Sequence, residues 1–494
     1  MITVVGMDGA PLSRRAEAAL AAATLVAGAR RHLTVAPPRA RTVVLGELGP
    51  ALDALAAHEG DAVVLASGDP GFFGIVRALR ERDLKFTVLP AVSSVAMAFA
   101  RAGLTWDDAA VVSAHGRDPR PALNVCRAHR KVAVLTGPGC GPAVIGAALA
   151  GWDRRLIVCE HLGSDAERVT ECSPADAAVR TWADPNVTLV LTGTESVIMG
   201  FPPLEGPESH DHEAGASRDG TADVVNGAGG TGGPSWAWPP RAAPTGWALP
   251  EEAFDSRDAV MTKAEVRALA LARLAPGPGL LVWDVGAGSG SVAVECARFG
   301  AAVIAVERDA LRCERVRANA ARHGADVRIV PGEAPGALAG LPDPDAVFVG
   351  GGGTAVIEAV AARRPARIVV ALAAVERTGP AHAALSAAGY ATDGALVQAA
   401  RLAPLPGDVH RLAATNPVFL LWGTAGRAPA RETDAASPAG AGPNAARPSG
   451  LAGPGAETLL ARGTTPRPPQ CLPKPGMPPG PTAGEGGRRR GAPP

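Results

Sequence analysis

The sequence predicts an α/β protein made of two folded blocks, and three observations carry that expectation. Short apolar runs alternate with helical patterns from residue 2 to about 200, and the alternation restarts from 262 to 423. Glycine (60) and proline (46) crowd into 201–247 and again after about 424, as in a linker and a tail. The length of 494 residues fits two or three domains, and 47% hydrophobic residues suffice for real cores. The division expected is a domain over 1–203, a flexible linker over 204–245, a second domain over 246–423 and a disordered tail over 424–494.

In the first block the strand-like runs are ITVV (2–5), AVVLAS (62–67), FTVLP (86–90), AAVVSAHG (109–116), KVAVLT (131–136), RLIVCEHL (155–162) and NVTLVLTG (186–193). Helical patterns at 13–23, 50–59 and 93–102 separate several of them, which predicts a mainly parallel sheet covered by helices. Sites in such sheets gather at the strand C-termini. The second block opens with a helix over 263–274, its apolar positions Val266, Leu269, Ala270 and Leu274. The strands expected next are LLVWDV (280–285), AVIAV (302–306), VRIV (327–330), DAVFVGG (345–351), RIVVALA (367–373), LVQAARLAPL (396–405) and NPVFLLWG (416–423). No helix separates the last two, so they read as a terminal antiparallel pair.

Several function classes are disfavoured. The formal charge of zero leaves no overall footprint of a nucleic-acid binder. The seven cysteines never fall in CxxC spacing and sit mostly in apolar stretches, as expected of buried thiols in a reducing cytoplasm, with neither a zinc nor a disulfide framework. The start MITVVGMDG reads as a strand entering a turn, and no apolar run reaches membrane-spanning length. PESHDHEAG (207–215) reads as a solvated segment rather than a metal site, and the tryptophans of WAWPPRAAPTGW (236–247) as tethers to a domain surface.

The stretch LLVWDVGAGSGSVAVE (280–295) places Gly286, Gly288 and Gly290 after a strand that ends near Asp284. A dinucleotide fingerprint needs its third glycine at 291, where this chain has Ser291. Glu307, at the end of the following strand, suits ribose hydroxyls with either class of cofactor. DVGAGSGSVAVE followed by AVERD resembles the S-adenosylmethionine (SAM) motif of Rossmann-like methyltransferases. That resemblance implies that Asp284, Gly286, Ala287, Gly288, Ser289 and Gly290 attend the methionine and ribose, that Glu307 holds the ribose, and that Glu333 and Ala334 of PGEAP lie beside the adenine. DAVMTKAEVRALALARLAP resembles the entry helix of the methylase that alkylates and decarboxylates a precorrin, which makes Thr262 a SAM contact. Thr262 and Glu265 are equally spaced for a capping box. Gly350 to Gly353 of FVGGGG would then let a broad planar substrate approach.

In the first block, LASGDPGFFGI (65–75) resembles the signature of the tetrapyrrole methylases, a two-lobed SAM-dependent fold. VVG near the N-terminus, PAVSSVAMAFARAGL (90–104), SAHGR (113–117), CEHLGSDAER (159–168) and PNVTLVL (185–191) follow in the order of the precorrin C5-methylase branch. The resemblance implies cofactor contacts from Gly68, Asp69, Pro70, Ser93 and Ser94. Asp69 either orients a cofactor group or caps the next helix, and Ser93 and Ser94 either cap a helix or touch ligand. His115 reads as a structural imidazole, and Arg117 as a partner for a substrate carboxylate. Arg120, Arg127 and Arg130 form a basic stretch suited to a polycarboxylate or to a solvated helix face.

Together the blocks resemble the fused precorrin-6Y C5,15-methyltransferase (decarboxylating) family of cobalamin biosynthesis, over about 1–200 and 245–423. The resemblance implies two SAM sites per chain, no metal, a small-molecule tetrapyrrole substrate, no nucleic-acid or membrane partner, a cytoplasmic home and assembly into homo-oligomers. The second block would methylate C15 and decarboxylate the C12 acetate, and the first would methylate C5 to give precorrin-8. Glu333, His410 and Arg411 are candidates for proton handling by location alone. An NAD(P)-dependent oxidoreductase is the alternative, disfavoured by Ser291; a catalytically silent assembly protein is a third reading.

Overall fold

The computed structural model describes residues 1–46, 48–72, 74–114, 118–193, 246–256 and 261–426. The linker 204–245, the tail beyond 426, and the candidates His115 and Arg117 lie outside the described residues.

The first block is two-lobed. Its first sheet joins β1 (Ile2–Met7), β2 (Leu25–Gly28), β3 (Arg41–Val44), β4 (Ala62–Ser67) and β5 (Phe86–Leu89) in the order β3-β2-β4-β1-β5, all parallel. Its second joins β6 (Ala110–Ser113), β7 (Lys131–Leu135), β8 (Arg154–Glu160), β9 (Arg168–Cys172) and β10 (Asn186–Thr192) in the order β6-β7-β10-β8-β9. Here only β6 and β7 run parallel, which corrects the expectation of a mainly parallel sheet for this half of the block. The apolar runs of β7, β8 and β10 record burial on both faces, and burial does not reveal direction. The lobes meet where a Cβ on Gly9 would lie 1.8 Å from the Gly163 carbonyl oxygen, so neither turn has room for a side chain.

The second block holds β11 (Leu281–Val285), β12 (Ala302–Glu307), β13 (Arg328–Pro331), β14 (Ala346–Val349), β15 (Arg367–Leu372), β16 (Tyr390–Val397), β17 (Ala400–Leu405), β18 (Val409–Ala414) and β19 (Val418–Ala425). Seven of them form a sheet in the order β13-β12-β11-β14-β15-β19-β16, with β19 antiparallel to both of its neighbours. Helices such as Ala264–Leu274, Ser291–Arg298 and Thr354–Ala362 cover its faces and bury Trp283, Ile304 and Val369 completely. The run expected as one strand over 396–405 is split. The chain leaves the sheet after Val397, Thr415 donates its N–H to the Ala399 carbonyl (2.8 Å), and the residues between form a separate hairpin of β17 and β18. The antiparallel partner of β19 at this edge is therefore β16, not the 400–405 segment.

The second lobe docks on the base of this sheet, at the N-terminal ends of its strands. Arg154, its side chain almost fully buried, donates to Asp326 just before β13 (2.6 Å) and to the Cys126 carbonyl (2.9 Å). Asp345, just before β14, accepts from the Leu281 N–H (2.8 Å), Asn124 Nδ2 (3.2 Å) and Arg120 Nη2 (3.1 Å). Trp152 packs into the core of the second block beside Leu281 and Trp283. Arg120 and Arg130 are exposed, in line with the solvated-face alternative, whereas Arg127 is buried. Arg120 bridges to Asp345, and buried Arg127 donates to the Ala148 carbonyl and Asn124.

Arg154→Ala removes this bridge and leaves buried carbonyls unpaired, so urea denaturation should show a loss of about 2–4 kcal/mol. An unchanged midpoint would contradict the docking described.

Candidate active site

At the opposite, C-terminal end of the seven-stranded sheet, β11, β12, β13 and β14 empty into a cavity of about 510 Å³. Its floor is the turn Gly286–Ser289. Gly286 has a φ of +77°, and a Cβ there would lie 3.0 Å from the Gly351 nitrogen, so the turn and the loop after β14 pack backbone to backbone. Glu307, at the end of β12, is 4% exposed, and its two carboxylate oxygens accept from the N–H groups of Gly288 (2.8 Å) and Asp309 (3.1 Å). Those contacts fix the carboxylate at the cavity wall, with lone pairs left for a diol. Glu333 also lines the cavity and accepts from Arg308 Nη1 (2.9 Å), just past the end of the neighbouring strand β12.

Behind the turn, Asp284 is 1% exposed and does not line the cavity. Its Oδ2 accepts from the Ala293 N–H (2.9 Å) at the start of the helix Ser291–Arg298, while Oδ1 has no hydrogen-bond partner. Burial raises its pKa from 3.8 to about 7, the Ala293 N–H opposes that rise, and Glu307 adds to it. A pyrophosphate binds at the unsatisfied N–H groups of such a helix. Here one of them is already turned inward to the chain's own carboxyl group, and Gly288 is turned to Glu307. The geometry therefore disfavours a dinucleotide and leaves a phosphate-free nucleoside cofactor as the better fit.

Met261, Thr262 and Lys263, just ahead of the helix Ala264–Leu274, also line the cavity. Their position depends on a buried ion pair between Arg267 and Glu295, both fully buried, with Arg267 Nε 3.1 Å from Glu295 Oε1. Arg267 also donates to the Thr262 carbonyl (2.7 Å) and to that of Leu249. Thr262 is not the helix cap that its spacing suggested. The cap residue is Lys263, and the first free N–H, that of Ala264, is accepted by Glu251 (3.1 Å). Glu265, the expected partner in the capping box, instead binds Arg401 (2.7 Å).

In the first block, Gly68 (φ +60°) ends β4, and a Cβ on it would lie 3.1 Å from the Ser94 nitrogen, so this turn abuts the helix Ser94–Ala102. The Ser93 hydroxyl accepts from the Ala96 N–H (3.1 Å), which is the capping alternative. Asp69 caps no helix; its Oδ1 accepts from the Gly71 N–H (2.8 Å) within the turn, beside buried Pro70. The turn and the start of this helix are thus brought together at the C-terminal side of the first sheet.

Of the residues expected in the second block, Thr262, Gly286, Ala287, Gly288, Ser289, Glu307, Glu333 and Ala334 line one cavity, as do Gly350, Gly351 and Gly352. Asp284 and Gly290 stand behind it, Gly290 as the left-handed residue that opens the helix. His410 and Arg411 lie exposed on β18 and do not line it. Sequence reasoning missed Lys263, Arg312 and Arg377, although Arg377 follows a strand end, the place where such sites gather. The six described cysteines are free; burial pushes the thiols of Cys126 and Cys159 up to about 12, so they are no nucleophiles. Among the described residues no metal-binding cluster occurs, and no helix is long and apolar enough to cross a membrane.

The Asp284 carboxyl binds its proton more tightly folded than unfolded. Its contribution to stability is therefore full below about pH 4 and lost as the pH rises through about 7. Asp284→Asn removes that titration. The stability of the variant relative to the parent should rise over this window by on the order of a few kcal/mol. A pH-independent difference would contradict the burial argument.

Comparison with known proteins agrees with both halves of the fold. The family described as "Precorrin methyltransferase domain" matches residues 252–424, and that described as "Tetrapyrrole (Corrin/Porphyrin) Methylases" matches residues 2–178. A precorrin-6Y C(5,15)-methyltransferase (decarboxylating) from Sinorhizobium sp is 34% identical over 376 residues, covering 72% of this chain and 79% of its own length. A probable cobalt-precorrin-6B C(15)-methyltransferase (decarboxylating) from Pyrobaculum calidifontis is 37% identical over 35% of this chain and 93% of its own. A cobalt-precorrin-7 C(5)-methyltransferase from Salmonella typhimurium is 34% identical over 34% of this chain and 89% of its own. With one relative spanning both blocks at this identity, the chain belongs to the precorrin-6Y C5,15-methyltransferase (decarboxylating) family.

Proposed function

We propose that this chain methylates a precorrin-6 intermediate of cobalamin biosynthesis at C15 and C5, with loss of the C12 acetate carboxyl group, and that SAM is the methyl donor at two sites. The observation that carries the reading is the cavity at the C-terminal edge of the seven-stranded sheet, with Glu307 fixed at its wall by two backbone N–H groups. When bound there, the cofactor supplies an electrophilic methyl group on sulfur. The chain's own residues hold and exclude. Glu307 accepts from the ribose hydroxyls, the Gly286–Ser289 turn lets the ligand lie against backbone, and the Met261–Lys263 strap keeps water out.

Methyl transfer to an electron-rich ring carbon requires alignment more than acid–base chemistry. In the decarboxylation the carboxyl carbon leaves as carbon dioxide, its electron pair passes into the conjugated ring, and a proton later replaces it. Glu333 is the one of the three proton-handling candidates that lines the cavity. In the first block, the second cofactor site is assigned to the Gly68–Pro70 turn and the Ser93–Ser94 helix start, with Arg117 as a further candidate for a substrate carboxylate. The exposed leucines Leu402 and Leu412, paired across β17 and β18, support the expectation of a homo-oligomer. The family's biosynthetic role supports a cytoplasmic location.

The test is mass spectrometry of reduced precorrin-6 incubated with SAM and either the full chain or halves separated in the linker. The second half alone should add one methyl group and release carbon dioxide, and the full chain should add a second methyl. A macrocycle of unchanged mass would overturn the substrate assignment.

A further inference from the structure

A second cavity of about 530 Å³ opens beside the first, between the C-terminal ends of β14 and β15. The two cavities share Gly350, Gly351, Gly352, Ala371, Ala373 and Arg377. Five of these six carry at most a methyl group, so the common wall is low and offers no side-chain charge. Arg377 is the exception. It is the one cation among the described residues that lines both cavities; Lys263, Arg308 and Arg312 line the first alone.

Arg377 is also uncommitted. Arg308 is held by Glu333 and Arg363 by Asp343, whereas the exposed guanidinium of Arg377 has no ion pair or side-chain hydrogen bond among the described residues. The neighbouring Glu376 lines the second cavity only and does not pair with it. Its backbone, by contrast, is anchored. Arg377 closes the short 3-10 turn Val375–Arg377, donates its N–H to the Ala374 carbonyl (3.3 Å), and is followed directly by the helix Thr378–Ala387. A free fork of donors on a fixed stem is suited to a carboxylate, which a guanidinium binds through two parallel N–H···O contacts.

We infer that Arg377 is a positioning residue that grips one carboxylate of the acceptor where the two cavities meet. The inference rests on the acceptor reading above. The acidic side chains of a tetrapyrrole radiate from a rigid rim, so holding one of them sets the rotation of the ring. That rotation decides which ring carbon faces the cofactor cavity across Gly350–Gly352. Because Arg377 also lines the second cavity, which Glu307 does not, it is assigned to the acceptor and not to SAM.

The experiment compares the full chain with Arg377→Ala and Arg377→Lys. The KM for reduced precorrin-6 should rise about tenfold to a hundredfold in R377A, as expected for loss of a charge-assisted, two-pronged contact. The SAM Kd should stay within about twofold, and R377K, which keeps the charge but not the fork, should recover part of the loss. An unchanged acceptor KM, or a SAM Kd that moves by the same factor as the KM, would overturn the inference. A binding arm needs no turnover: uroporphyrin, an octacarboxylate, is titrated by absorbance in the presence of S-adenosylhomocysteine. Weaker binding to R377A than to wild type supports the inference even if precorrin-6 is never methylated, in which case it is the proposed function that fails. Equal affinity overturns the inference while leaving the function standing.

Discussion

The buried pair of Arg267 and Glu295 governs the geometry of the second block. Both groups are fully buried, and removing one partner of such a pair costs about 3–5 kcal/mol where the other charge is left without compensation, as Arg267 would be without Glu295. Glu295 itself also accepts from Arg298 Nη1 (3.3 Å). Most of the remaining hydrogen-bonding capacity of the pair is met by backbone. Glu295 accepts from the N–H groups of Ala248 (3.2 Å) and Leu249 (2.7 Å), and Arg267 donates to the Thr262 and Leu249 carbonyls while stacking 4.8 Å above Phe254. Two stretches of chain without regular structure are thereby fastened to two helices. Arg401 extends the clamp to the β17–β18 hairpin by binding Glu251 and Glu265 together, and its hydrogen bonds hold the Glu251 carboxyl down to about 2. The Met261–Lys263 side of the cavity is therefore held by an electrostatic construction beside an apolar core.

The sheet below it has two ends with different tasks. Asp345 stands at the start of β14 and ties the first block to the second; Gly350 stands just past its end and shapes both cavities. The strand between them, Ala346–Val349, is buried throughout. Docking of the first block at the base keeps its bulk away from the cavity mouth. That separation suits an acceptor as broad as a tetrapyrrole, and it puts the burden of orienting the acceptor on groups at the mouth, such as Arg377.

Much of this was legible in the sequence, because the signals were local. The turn after β11 and the acid after β12 are read from residue type and spacing alone, and Ser291 in place of a glycine already weakened the dinucleotide reading. What was hidden depends on pairing across long separations. The strands Leu25–Gly28 and Arg41–Val44 are four residues each and look like loop edges, and the direction of β8 and β10 leaves no trace in their composition. The true partner of Glu265 lies 136 residues away, whereas the capping box that the spacing suggested spans only Thr262 to Glu265. Arg127 read as a surface cation, since nothing near it in sequence announces the Ala148 carbonyl, and nothing near exposed Arg120 announces Asp345. Asp284 resembled a ligand contact because it sits beside the glycines, yet the pleat of β11 turns it into the core.

The most direct test of the proposal that one chain carries two sites for a sulfonium nucleoside and none for a dinucleotide is the stoichiometry of binding. Isothermal titration of the full chain with SAM should give two molecules per chain, falling to one when Glu307→Ala weakens the second-block site, with no heat from NADH. Fewer than two molecules bound to the wild-type chain, or NADH competing with SAM, would contradict the account.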